Sequence, residues 1–426
     1  MAKSYEVKNC KSCLYLTYDG LLDPLGRSQI IPYLEQFATK GVRLVVVSFE
    51  KAAWLQWNKE NPSYRRRLAQ QGIQWIPLRY HKWPPVLSTL WDLLQGLVVC
   101  TWISRRRCPE IVHARGYVVA LLALWVKGFT KARFLFDMRG FWPEERIEGG
   151  LSRPDGLLYR CTKWWEKRFL READGIVVLS HVAKEILEER MKKNGSSVTI
   201  LVVPTCADLK KFVPRQENSN KKNLTRIVYV GSVGTWYLVE EMVQFFKILQ
   251  HRIPEAHLSI LTPRPDPLLS YAFKDLNPSA HDIQMLTHEG VPPVLQTMHA
   301  SLCFIKPVNS KKASCPTKVG ESLACGVPVV ITKDVGDCDR LVERERVGVV
   351  VPDFSPRGYG EALERLIALV REGSALSERC RRVAKENFDL ERGVEKYLSF
   401  YEALFIKGQE TREHRVVYEE KTSTGR

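Results

Sequence analysis

The chain has 426 residues, 45% of them hydrophobic and 26% charged, an ordinary globular mix too long for one hydrophobic core and suited to two domains. Its net charge of +16 is uneven: residues 1–200 hold 32 of the 64 Lys and Arg but 19 of the 48 Asp and Glu, a balance of +13 against +3 for the remainder. Eleven cysteines are scattered without zinc spacing, and Cys10 and Cys13 form a lone CxxC, so reduced thiols are expected rather than a metal site or a disulfide framework.

The first ten residues are polar and read as no signal peptide. Residues 85–103 come nearest to a membrane span, but they contain Asp92 and Gln95 and run into Arg105, Arg106 and Arg107. The chain is therefore expected to be soluble or peripheral.

In chain order, residues 13–18 form a short apolar strand and 19–27 a turn-rich loop with Gly20, Pro24 and Gly26. Ile30, Ile31, Leu34 and Phe37 have helical spacing over 28–39, and 42–49 is the next strand. Strands follow at 73–78, 111–113, 133–137, 175–179 and 197–203, with helical patterns between them. Residues 209–224 are polar and read as a linker. A second series follows, with strands at 226–231, 257–261, 283–286, 301–305, 328–331 and 348–351. Helices are expected at 239–250, 360–371 and 377–388, then an aromatic-rich terminal helix over 391–408 and a disordered tail over 409–426. This alternation predicts an α/β protein of two doubly wound domains, 1–208 and 225–390, with ligands held where the carboxyl ends of the sheets face each other.

The segment after the strand at 301–305 is the most informative. Pro316 suits the first turn of a helix and Gly326 its end, so a helix N-terminus stands at the carboxyl end of a strand, where anions bind. Lys318 and Glu321 are three apart and share a helix face. One can neutralise a phosphate; the other can accept hydrogen bonds from sugar hydroxyls.

This layout and the run PTKVGESLACGVPVV resemble the GT-B glycosyltransferases, most closely family four, the group 1 type, in its polysaccharide-biosynthesis branch. In that family a glutamate in E-A-(M/L)-A-x-G-x-P-V-V contacts the nucleotide ribose. Glu321 matches it, with Gly326 and Pro328 at the family's positions. A second family glutamate would fall at Ala313, and Ser314, Pro316 and Lys318 match the S-x-P-x-K variant instead. The resemblance implies two Rossmann-like domains facing across a cleft and a retaining, metal-independent hexosyl transfer. A nucleotide sugar is the implied donor, a glycan or lipid-linked molecule the acceptor, and no separate cofactor is needed.

The implied donor residues are Gly26, Arg115, Gly231, Gly234, Ser314, Lys318, Glu321 and Ser322, with Thr287–Gly290 holding the base by main-chain contacts. Asp137 and Arg139 stand where the family usually carries a histidine, and with Lys318 they are the catalytic candidates. Asp137 and Arg139 can equally pair with each other or with Glu145 to hold their loop. Arg115 can pair with a neighbouring carboxylate, and Gly26 can be a turn residue.

Trp83 to Trp102 and the Arg triplet suit an anionic membrane interface on the cytoplasmic side. They suit a buried helix with a basic C-terminal end equally well. Nucleic acid is not expected. The rivals are a sugar-nucleotide epimerase and a catalytically lapsed scaffold.

Overall fold

A computed structural model describes residues 12–60, 62–193, 195, 197–215, 223–264 and 266–423, with side chains outside 58–60 and 407–423. Cys10 and the middle of the expected linker lie outside the described residues.

The first sheet is built from β1 (Ser12–Thr17), β2 (Arg43–Glu50), β3 (Gln74–Arg79), β4 (Ile111–Arg115), β5 (Arg133–Asp137), β6 (Gly175–Val178) and β7 (Thr199–Val202). All pairs are parallel, in the order β3-β2-β1-β4-β5-β6-β7. The second sheet contains β8 (Arg226–Val230), β9 (His257–Thr262), β10 (His281–Met285), β11 (Ala300–Cys303), β12 (Val329–Ile331) and β13 (Gly348–Val350), ordered β10-β9-β8-β11-β12-β13. Each order reverses beside its first strand, β1 or β8, which makes the topological switch point where ligands bind in such sheets. The central strands are apolar throughout because helices cover both faces: Ile227, Val228 and Tyr229 of β8 and Val329, Val330 and Ile331 of β12 are fully buried. The α/β reading and its strand positions hold along both halves.

The helix Thr317–Ala324 ends as its sequence requires. Gly326 lies at φ +74°, its N–H donates to Leu323 O, and the Val327 N–H donates to Ser322 O. A Cβ on Gly326 would run into the Ser377 hydroxyl. Gly326→Ala should therefore destabilise the protein by about 1–2 kcal/mol from the left-handed backbone alone, and more from the clash. Denaturant unfolding checks this; an unchanged midpoint would remove the argument.

The chain returns from the second half to the first along Leu390–Ser423, whose Val394, Tyr397, Leu398 and Tyr401 pack with Tyr33 and Phe37. Gly175 lets Phe400 approach β6, since a Cβ there would meet the ring at 2.7 Å. Arg381 ties the connection by donating to the carbonyls of Leu209, Phe212 and Ala324. The helix continues to Ser423, past the expected end at 408. A polar stretch without proline keeps its helix propensity.

The helix Pro85–Arg107 is inverted relative to a core helix. Ser88, Asp92, Gly96 and Cys100 face inward, while Leu87, Leu94 and Val98 are 66%, 57% and 68% exposed. Asp92 holds the buried side in place, accepting from the Tyr18 hydroxyl at 2.9 Å and pairing with the His81 ring at 2.6 Å. Gly96 gives the close approach, because a Cβ there would meet Leu122 at 2.6 Å. The buried-helix alternative fails for this segment: its apolar stripe faces out.

Candidate functional site

The site begins at the end of β8. Gly231 follows the strand at φ +130° and Gly234 at φ +143°, backbone that β-branched or bulky residues rarely adopt. The start of Thr317–Ala324 faces this loop, and a Cβ on Gly231 would lie 3.3 Å from Lys318 Nζ. Lys318 is 7% exposed, and its ammonium has no hydrogen-bond partner among the described residues. It sits instead over the rings of Tyr229 and Tyr237, 3.9 and 4.3 Å from their centroids. Burial lowers its pKa to about 8, partly offset by Cys303 and Glu321. A buried cation with three unused donors at a helix N-terminus is prepared for an anion.

One turn on, Glu321 is buried, and His288 Nε2 donates to its Oε1 at 2.6 Å. Burial opposes a charge on His288, but the bond to Glu321 outweighs it and raises the His288 pKa. His288 comes from the turn His288–Gly290, after β10, where main-chain contacts to a base are expected. Ser314 and Ser322 belong to the same segment. The Ser314 hydroxyl donates to Lys311 O at 2.7 Å, and the Ser322 side chain is fully buried.

Asp137 and Arg139 lie at the end of β5 on the first half. Asp137 is 1% exposed; its Oδ2 accepts from the Tyr397 hydroxyl at 3.0 Å and from His113 Nε2 at 3.3 Å. The second His113 nitrogen, Nδ1, is 2.6 Å from the Tyr401 hydroxyl. Burial lowers the His113 pKa, so the ring is neutral; Nε2–H donates to the carboxylate and Nδ1 accepts from Tyr401. Burial alone would raise the Asp137 pKa, but Arg139 and the His113 bond outweigh it. Arg139 stands 3.8 Å from Asp137 Oδ1 at φ +58°. Asp137 is thus inside the wall, joined to the terminal helix, and the half of the expectation in which it pairs with Arg139 describes its contacts.

The remaining expectations separate. Arg115 is buried and donates to Asp19 Oδ2 at 2.7 Å. Gly26 packs on the Gly20–Leu21 backbone, which leaves no room for a Cβ, so packing already accounts for this glycine. Its neighbour Arg27 lies among Trp54, Trp57 and Tyr64, 4.9–5.1 Å from their centroids. Burial opposes ionisation of Glu289, but its own main-chain N–H, the Thr287 hydroxyl, His288 and, least, Arg27 outweigh it and lower its pKa. Lys306 is exposed.

Contacts between the halves lie beside the site. Lys311 Nζ donates to Glu145 Oε1 at 2.8 Å and covers the Trp236 ring at 4.0 Å. Asp337 of the second half accepts from the N–H groups of His181 and Val182, capping a first-half helix. His288, Tyr229, Tyr237 and Lys311 were not singled out from the sequence. Their one signal is position: each lies at or just beyond the carboxyl end of a strand, or directly beneath the loop that follows it.

Residues 32–206 match the glycosyl transferase 4-like domain, and residues 225–368 match the glycosyl transferases group 1. The fold is shared with sucrose-phosphate synthase from Thermosynechococcus elongatus, at 15% identity and a TM-score of 0.72, covering 93% of this chain and 100% of that one. It is shared with a glycosyltransferase from Rickettsia africae, at 14% identity and a TM-score of 0.69, covering 93% and 99%. An Anabaena protein, HepE, solved with UDP-glucose, gives 12% identity and a TM-score of 0.65, covering 91% and 98%. Spore coat protein SA of Bacillus subtilis is 32% identical over 83 residues, 19% of this chain; the match spans only 22% of that relative's length.

Two facing parallel-sheet halves of this kind define the GT-B architecture. The chain belongs to the glycosyltransferases, with a 4-like first domain and a group 1 second domain.

Proposed function

We propose that the protein is a retaining, metal-independent hexosyltransferase. It moves a sugar from a nucleotide-sugar donor to a glycan or lipid-linked acceptor in cell-surface polysaccharide or glycoconjugate synthesis, on the cytoplasmic face of the membrane. The observation that carries this reading is the buried ammonium of Lys318 beside Gly231, without a hydrogen-bond partner among the described residues. The donor's diphosphate would meet Lys318, and its ribose hydroxyls would donate to Glu321 with His288 fixing that carboxylate. The bond from the anomeric carbon to the diphosphate oxygen breaks with its electron pair on the oxygen, where Lys318 and the helix N-terminus offset the growing charge; the acceptor hydroxyl oxygen bonds to that carbon from the same side, and its proton passes to the departing diphosphate. Arg139 stands on the opposite wall, and Asp137 positions it and anchors Tyr397. The relative solved with UDP-glucose makes UDP-sugars the first donors to try.

Incubation with UDP-sugars, followed by proton NMR of the anomeric signals, tests this reading. Slow hydrolysis that releases the sugar with its original anomeric configuration is expected. An inverted product would overturn retention, an epimerised donor would favour an epimerase, and binding without turnover under any acceptor would favour a scaffold.

A further inference from the structure

The outward face of Pro85–Arg107 has no role in the donor site. Leu87, Trp91, Leu94, Val98 and Trp102 form one exposed stripe along it, with Trp83 81% exposed just before its start. Trp125 and Phe129 of the neighbouring helix Tyr117–Phe129 extend the stripe sideways. An exposed apolar surface on this scale marks an interaction site rather than ordinary surface.

We infer that this face docks on an anionic phospholipid bilayer, with the helix lying flat in the headgroup region. Three observations choose that occupant. The sole acidic residue of the helix, Asp92, is turned inward and bonded to Tyr18 and His81, so the outward side carries no negative charge. Arg105, Arg106 and Arg107 close the stripe, all exposed, with Arg106 over the Trp102 ring at 4.7 Å. Next to them opens a cavity of 570 Å³ lined by Arg105, Lys131, Phe129 and Phe405, with Glu110 as its one carboxylate and Arg133 already paired with Asp174, so Arg105 and Lys131 are the cations it offers a lipid headgroup. Apolar insertion beside basic attraction is the pairing that holds a helix at an anionic interface.

The helix is apolar and long enough to cross a membrane. Its inner side, however, belongs to the first core through Cys100 and Ile103, and leaving would break the Asp92 bonds. It therefore lies on the surface. Its start follows β3 at the carboxyl edge of the sheet, the edge that faces the cleft, and its end reaches the opposite edge before β4, so the docked face runs alongside the cleft. The inference rests on the proposed lipid-side location of the acceptor but not on the donor chemistry.

Vesicle co-sedimentation of the full chain tests it, with donor binding measured in parallel. Wild type should bind phosphatidylcholine vesicles containing phosphatidylglycerol, weaken as salt rises, and bind pure phosphatidylcholine poorly. Each basic residue near an anionic surface is worth about a fivefold change in partitioning, so Arg105→Gln with Arg107→Gln should weaken binding about 25-fold. Leu87→Ser with Leu94→Ser and Val98→Ser should remove it on both vesicle types. Both sets are exposed and should leave folding and donor binding unchanged. No vesicle binding by wild type, or equal binding by the variants, would overturn the inference. A dimer of wild type that the serine variant abolishes, without lipid binding, would assign the face to a second copy instead. Lipid binding without donor binding would leave this face standing and sink the transferase reading.

Discussion

Lys318→Ala is expected to lower turnover on the order of 100- to 1,000-fold, the usual effect of removing one preorganised donor from a developing anion. The variant should remain folded. Lys318 carries its charge into a buried site with no hydrogen-bond partner among the described residues, and the two tyrosine faces and the Glu321 carboxylate offset that cost only in part. Alanine removes the cost, so the unfolding midpoint should hold or rise while activity collapses. That opposite movement separates a functional lysine from a structural one; a lower midpoint together with lost activity would favour the structural role.

The same burial predicts a pH signature. With the Lys318 pKa at about 8, the native protein loses a proton there, while the unfolded chain keeps it until the ordinary lysine range near 10.4. Between those values the unfolded state binds more protons, so the free protein's stability contribution from this group rises with pH. Donor binding needs the charged form. The kcat/KM should therefore fall above about pH 8, up to tenfold per pH unit, and binding near pH 8 should take up a proton. Calorimetry in two buffers of different ionisation enthalpy measures that uptake, and Lys318→Ala should abolish it.

Glu321→Ala should weaken donor binding about 10- to 100-fold, the range for a lost hydrogen bond to a charged group. Glu321→Gln should lose less, since an amide oxygen still accepts from hydroxyls. Removing the carboxylate also strips His288 of the partner that raises its pKa, leaving burial to lower it. NMR titration of His288 should therefore move from above the ordinary histidine value to below it. In the wild type the pair's stability contribution is full below about pH 6.5 and fades as pH rises through the raised His288 value. An unshifted His288 in the variant would mean that the pair does not form.

The fold was legible because its signals are local. Alternating apolar strands and helical patterns specify parallel sheets, and the Gly326 turn is written in the residues that form it. Lys318 and Glu321 were legible for the same reason, being one helical turn apart. His288 was not, because it meets Glu321 across 33 positions and nothing local announces the partnership. The tyrosine bed of Lys318 comes from β8 and the turn after it, which read only as strand and loop.

Leu87, Leu94 and Val98 lie at helical spacing in the sequence. That spacing could not show which side faces out. That choice is made by Asp92 finding Tyr18 and His81, and by Gly96 closing on Leu122. Asp137 looked available because it follows a strand at the cleft. The terminal helix, 260 positions away, supplies the Tyr397 hydroxyl that engages it.

The most direct test is calorimetric titration of the wild type and Lys318→Ala with a panel of nucleotide sugars at pH 7. The predicted result is one donor that binds the wild type and loses at least tenfold in affinity in a variant that stays folded. A folded wild type that binds none of them, or binds one no more tightly than the variant does, would contradict the donor site proposed around Lys318.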